Sequence, residues 1–433
     1  MTDTARAGSP APTSSDGGHR AAFASITTLF FAWGFITVSV DPLIAALKAI
    51  FSLSYAEVLL TQLAFFTAYG VMSLPGAWLV RRIGYTSAIV AALAIMFCGC
   101  LVIPLATGGQ SFALVLVALF IIAAGITVLQ VAANPLAAEL GPPEGSHFRL
   151  TLVQAFNSLG TTIAPYAVSS LLLAGGIFAA EAGGPVTAAQ RAESLHNIDL
   201  AFLAIAGLIA LLAVFIFAVR GRLSAAAPAL AAEADSAVRR ALRSRWALLG
   251  AAAIFLYVGA EVAIGSLMTN FLHQPDVFAV PLKQAGRLVS LYWGGAMVGR
   301  FLGSVLLRQL SAGRMLGAAA ACAALLCLVV RIAPGETAGI AALSIGLFNS
   351  IMFPVIFTLT LERSTASDAA TSGLLCMAIV GGAVLPRLAG YIADQSALRA
   401  AYVVPLCAYV CISVFGFAAA RVRPARPVPA GAA

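Results

Sequence analysis

Residues 33–48 read WGFITVSVDPLIAALK, a segment apolar enough to enter a bilayer except for one carboxylate, Asp41. An acid at membrane depth costs at least about 2.5 to 3.5 kcal/mol, so such residues face protein or an aqueous cavity rather than lipid. Pro42 follows directly and removes a backbone donor, which is tolerated at depth only where the freed carbonyl finds a protein or water partner. The rest of the chain is therefore expected to build a polar cavity around Asp41.

Composition agrees. The 433 residues are 61% hydrophobic and 10% charged, with a mean hydropathy of +0.98; a soluble domain carries about 25% charge. The net charge of +8 does not mark nucleic-acid binding, because the basic residues sit in alternate loops between apolar spans without interleaved aromatics. Cys98, Cys100, Cys322, Cys327, Cys376, Cys407 and Cys411 lie in apolar segments with no CxxC spacing and no nearby His, so they read as packing residues. His19, His147, His196 and His273 fall in loops without metal spacing. Lys48 and Lys283 both follow Leu, which excludes a phosphate-cradling Walker loop. Neither metal nor cofactor is expected, and no enzymatic constellation emerges.

Apolar windows of about twenty residues place spans at 21–46, 58–80, 87–105, 111–138, 150–176, 198–219, 246–271, 284–307, 314–332, 337–361, 369–393 and 399–420. The expected fold is an all-α polytopic membrane protein of twelve transmembrane helices in two pseudo-symmetric six-helix bundles, 21–219 and 246–420. A cytoplasmic linker at 220–245 joins them. Residues 1–20, rich in Ser, Gly, Pro and Ala, read as a disordered cytoplasmic tail rather than a signal peptide, and 421–433 as a second cytoplasmic tail. With both termini inside, about seventeen Lys and Arg fall on the cytoplasmic side and about six outside, as the positive-inside rule requires. Two cues recur in the same order in each half. Span 2 ends GAWLVRRIG and span 8 ends GSVLLRQLSAGR, while Gly160 precedes Pro165 by five residues as Gly381 precedes Pro386. The recurrence points to an internal duplication.

Polar stripes inside the spans supply the candidate site. Thr37 and Asp41 are four apart on one helix face, with Trp33 eight residues before the acid. A titratable acid beside a hydroxyl can bind and release a proton. Span 4 contains GITVLQVAANP, placing Thr127, Gln130 and Asn134 at helical spacing before Pro135. Span 5 contains LVQAFNSLGTTIAP, aligning Gln154, Asn157 and Thr161. Amides both donate and accept without charge, which suits neutral polyhydroxylated ligands; the competing explanation is interhelical bonding at about 0.6 kcal/mol per pair. The second half offers Tyr257 and Glu261 four apart, Asn270, Trp293 with Arg300, and Asn349. Glu261 serves in proton coupling, in ligand binding, or as a structural partner of Arg300. Trp33 and Trp293 can stack on the C–H face of a pyranose or pack in the core.

With those residues laid out, the chain resembles the fucose:proton symporter family of the major facilitator superfamily, and more closely its glucose/galactose permease branch. The segments that carry the resemblance are FFAWGF with VDPLIAALK, LQVAANP, GPPE with RLTLVQAFNSLGTTIAP, FLYVGAEVAIGS, YWGGAMVGRFLGS, LFNSIMFPVIFTL and SGLLCMAIVGGAVLP, spread over essentially the whole membrane domain. The resemblance implies alternating access and proton-coupled sugar uptake across the inner membrane. It matches Asp41 to the acid of helix 1 associated with proton coupling and the sugar site, and Asn157 to the amide of helix 5 associated with sugar binding. Gln130 stands where fucose permeases carry a second acid, and Arg81 occupies an acid position in the loop between helices 2 and 3.

The expectation is therefore a secondary transporter, not an enzyme. It imports a neutral monosaccharide, a glucose- or galactose-type hexose or fucose, with protons, as a multi-pass bacterial inner-membrane monomer. Proton coupling is assigned to Asp41 and Glu261; sugar binding is assigned to Trp33, Thr37, Gln130, Asn134, Gln154, Asn157, Tyr257, Glu261, Asn270, Trp293 and Asn349. Sodium coupling and proton-driven export of amphipathic compounds are the alternatives within transport. A receptor built on a transporter scaffold is the alternative outside it, disfavoured by tails and a linker too short for an output module.

Overall fold

The computed structural model describes residues 14–38, 55–172, 188–227 and 237–422, so Asp41 lies outside the described residues. Among them the chain is helical nearly throughout, because a segment crossing lipid must satisfy its backbone internally. The helices are α1 (Ser14–Val38), α2 (Tyr55–Ile83), α3 (Tyr85–Gly108), α4 (Phe112–Glu139), α5 (Ser146–Leu172) and α6 (Ala188–Ala226) in an N-terminal set. The C-terminal set comprises α7 (Arg245–His273), α8 (Leu282–Leu306), α9 (Ala312–Ile332), a two-part α10 (Gly335–Asn349 and Met352–Arg363), a two-part α11 (Asp368–Met377 and Gly381–Gln395) and α12 (Val403–Arg421). Ten described helical segments are long and apolar enough to cross a membrane. The helices α5 and α8, 27 and 25 residues long, span about 40 and 38 Å, also more than a hydrocarbon core of about 30 Å. Between the sets, the basic end of the linker is itself ordered: Ala237–Arg243 forms a short helix that packs on α7 and α11.

The duplicated sequence cues become duplicated contacts. A Cβ on Gly160 of α5 would meet the Phe31 carbonyl of α1, and a Cβ on Gly381 of α11 would meet the Phe255 carbonyl of α7. Gly76 of α2 lies against Val128 of α4, and Gly303 of α8 against Ile351 at the break in α10. Without a hydrophobic driving force between helices in lipid, such close backbone approaches supply the packing energy, and they do so at the same helix pairs in each set.

Two prolines free carbonyls inside the helices, and one of these joins the sets. Pro354 lacks the N–H that would bond the carbonyl of Ser350, four residues back, and α10 is interrupted at Ser350 and Ile351. Pro135 likewise frees the carbonyl of Val131 in α4, and Ser372 of α11 donates its hydroxyl to that oxygen at 2.9 Å, joining one set to the other. Further cross-set contacts gather toward the end where the linker helix packs. Phe156 of α5 meets Phe301 of α8 edge-on at 5.7 Å, Arg308 sits 3.8 Å over the Phe148 ring, and a Cβ on Gly373 of α11 would lie 2.7 Å from that of Ala77. His147 at the start of α5 reaches Thr358 Oγ1 at 2.5 Å and Glu362 Oε1 at 3.0 Å, both on α10. A cavity of about 600 Å³ at this end is lined by Glu139, Glu144, His147, Arg308 and Glu362. Beside it the α4–α5 turn is tied down by Arg149, whose guanidinium donates to the carbonyls of Ala138, Gly141 and Pro142, satisfying oxygens that the end of α4 leaves open.

Candidate functional site

The N-terminal half of the site is a net of amides held between α1, α2, α4 and α5. Gln130 Nε2 donates to Tyr69 Oη of α2 at 2.5 Å. Gln154 Nε2 donates to Asn134 Oδ1 at 3.3 Å, linking α5 to α4. Asn157 Nδ2 donates to the carbonyl of Phe30 at 2.9 Å, one turn from Trp33. Thr37 gives its proton to the Trp33 carbonyl at 2.9 Å, and Trp33 packs edge-on against Phe30 with ring centroids 5.1 Å apart. The spacing in the sequence thus becomes a connected surface, since residues three and four apart share a helix face. Interhelical bonding accounts for part of it. Yet Trp33 Nε1 and the Nδ2 of fully buried Asn134 have no partner among the described residues, leaving donors in a region where most buried polar atoms are paired.

The C-terminal half is built around a charge pair. Tyr257 Oη donates to Glu261 Oε1 at 2.8 Å, a contact that their four-residue spacing on α7 makes geometrically natural. Arg300 Nη2 of α8 stands 3.8 Å from the same oxygen. Asn349, at the last turn before the break in α10, donates to Tyr292 Oη at 2.7 Å, while its Oδ1 and the hydroxyl of Tyr409 are unpartnered among the described residues. Such interruptions at membrane depth are where transporter helices expose backbone polar groups to a ligand. Trp293 is 44% exposed and lies edge-on to Tyr292 with centroids 5.0 Å apart.

The two halves meet at Arg300, whose Nη1 donates to Ser158 Oγ of α5, next to Asn157. Thr162 Oγ1 and Met297 Sδ make a second link of α5 to α8 at 3.6 Å. Asn270 does not join this assembly. It is exposed, nine residues beyond Glu261, hence about 13 Å along the axis and on the opposite helix face. Sequence reasoning also passed over Tyr69, Ser158 and Tyr292. Ser158 was legible, lying four residues after Gln154; Tyr69 and Tyr292 carry no periodic signal, because an isolated tyrosine in an apolar helix looks like core.

Among the described residues no group of three or more His, Cys, Asp and Glu forms a metal cluster. An open groove of about 630 Å³ between α8, α9 and α10 is apolar at Leu302, Leu306 and Phe348 and holds none of the site residues.

Comparison with known proteins places this arrangement. The chain is 41% identical over 408 residues to the "Glucose/galactose transporter" of Brucella abortus biovar 1 (strain 9-941), covering 93% of this chain and 95% of that one. It is 29% identical to the "L-fucose-proton symporter" of Escherichia coli (strain K12), covering 91% and 92%. Among solved structures, a major facilitator superfamily transporter crystallised in the outward conformation superposes with a TM-score of 0.83 at 27% identity, over 93% of this chain and 99% of that chain. The pattern described as Major Facilitator Superfamily matches residues 22–374, well over half of the sequence, and this protein belongs to that superfamily of membrane transporters.

Proposed function

We propose that this chain imports a neutral hexose of the glucose or galactose type by proton symport, as a monomer in a bacterial inner membrane with both termini cytoplasmic. The domain division is part of the proposal: bundles at 21–219 and 246–420, joined by the linker at 220–245. The observation that carries it is the chemistry of the site. Trp33, Gln130, Asn134, Gln154 and Asn157 present neutral donors and acceptors at one junction, with one paired carboxylate, Glu261, opposite. A sugar needs both kinds of hydrogen-bonding group, whereas an amphipathic cation needs acids and a large apolar pocket. The names of the relatives support the same substrate class and coupling ion.

With the termini inside, the linker end is cytoplasmic, and the cross-set contacts at His147, Arg308 and Gly373 close that side. The site then opens outward. Asp41 takes a proton from the outside, sugar binds to the amide net, the sets rock, and Asp41 releases its proton inward. The acid is neutral on the loaded passage and ionised on the empty return, so one positive charge moves inward per cycle and the membrane potential drives it at about 2.3 kcal/mol per 100 mV.

The test is uptake of labelled glucose, galactose, mannose and fucose into proteoliposomes, with and without an inward proton gradient, in sodium-free buffer. Gradient-dependent accumulation of one hexose supports the reading. Accumulation only with sodium refutes proton coupling, and no sugar uptake under any condition refutes the substrate class.

A further inference from the structure

Arg300 lies six residues from the end of α8, about 9 Å along its axis, in a helix that crosses the membrane. A guanidinium there is costly unless protein or water takes it up. Each of its arms has a partner on a different element. Nε donates at 3.0 Å to the carbonyl of Ser350, the oxygen that Pro354 leaves without its intrahelical donor. That bond pins the guanidinium to rigid backbone. Nη1 donates to Ser158 Oγ on α5. Ser158 spends its own proton on the Gln154 carbonyl at 2.9 Å, so its lone pair is what faces Arg300. Nη2 stands 3.8 Å from Glu261 Oε1, an ion-pair distance rather than a hydrogen bond, and Tyr257 already donates to that oxygen.

We propose that Arg300 is a positioning residue for transport. Pinned at Nε, its fork holds the Ser158 turn of α5 in register with Glu261, and the same turn carries Asn157 and Gln154. The geometry of the amide net in one set therefore depends on the charge pair in the other. When the sets rock apart, Arg300 Nη1 loses the Ser158 hydroxyl, and Glu261, beside Nη2, is the acceptor that stays within reach of the guanidinium. The three partners are met from three separate nitrogens of one rigid plane, a spread that the single nitrogen of lysine does not span, so lysine is a poor substitute. The inference rests on the amide net being the hexose site.

The experiment is a double-mutant cycle read by counterflow, which exchanges labelled for unlabelled galactose or glucose without a proton gradient. Thermal unfolding in detergent checks folding. Ser158→Ala deletes one methylene-borne hydroxyl and is expected to fold as wild type while raising the hexose KM about tenfold, the scale of a hydrogen bond to a charged group. In the Glu261→Gln, Arg300→Gln background, which leaves no lone buried charge, adding Ser158→Ala is expected to change KM less than twofold. Arg300→Lys is expected to fold and to raise KM to a similar degree as Ser158→Ala. A Ser158→Ala KM within twofold of wild type overturns the proposal. So does an equal Ser158→Ala effect in both backgrounds, which would mean the serine acts without Arg300. If the doubly neutral background does not fold, Ser158→Ala and Arg300→Lys decide alone. Asn157→Ala separates the two readings: if it leaves KM unchanged, or wild type shows no counterflow with either sugar, the site reading fails and this inference with it.

Discussion

Gly160→Ala tests whether the contact between α1 and α5 sets both stability and substrate affinity. The added Cβ would land on the backbone oxygen of Phe31 and 2.8 Å from the backbone nitrogen of Phe35. Neither atom can rotate away, because both belong to the helix itself. Restoring an ordinary contact of about 3.5 Å requires α5 to retreat by roughly 1 Å. Overpacking of that kind costs about 1 to 3 kcal/mol, equivalent to a Tm fall of roughly 2 to 10 °C on the scale of folded domains. The same retreat lengthens the Asn157 bond to the Phe30 carbonyl from 2.9 Å beyond hydrogen-bonding range. Losing about 1 kcal/mol of orientation for Asn157 raises the hexose KM about fivefold. The assays are thermal unfolding of purified protein and counterflow in proteoliposomes. Gly207→Ala is the control, since nothing lies within 4 Å of a Cβ there and alanine is the better helix former. Refutation would be a Gly160→Ala protein whose Tm and KM both match those of Gly207→Ala.

Asp41→Asn is expected to abolish uphill hexose accumulation while retaining counterflow; normal accumulation by that variant, followed with labelled sugar under an inward proton gradient, would refute its role as proton carrier. Glu362→Gln keeps an acceptor oxygen but removes the carboxylate charge from the His147 contact across the closed end, a part-exposed pair worth about 1 kcal/mol. The population open at that end is expected to rise about fivefold, read as distances between spin labels placed across it. Asn270→Ala is expected to leave hexose KM within twofold of wild type, since its position on α7 faces away from Glu261.

The membrane class, the helices and the duplication were readable in one dimension because they depend on local rules. Backbone satisfaction in lipid forces apolar helices of a set length, and the paired cues at Gly160 and Gly381, Gly76 and Gly303, recur because the same helix pairs need small residues at their crossings. The amide stripes were readable for a similar reason: Gln154 and Asn157, like Tyr257 and Glu261, keep a helical period that puts them on one face. What no period encodes is which face meets which. That Gln130 would be met by Tyr69, that the carbonyl freed by Pro135 would take Ser372 and the one freed by Pro354 would take Arg300, depends on contacts between residues 61, 241 and 50 positions apart. Only the packing of helices against one another, within and between the sets, brings such groups to about 3 Å or less, and it turns a partly buried arginine, in sequence merely a candidate partner for Glu261, into the junction of the two sets.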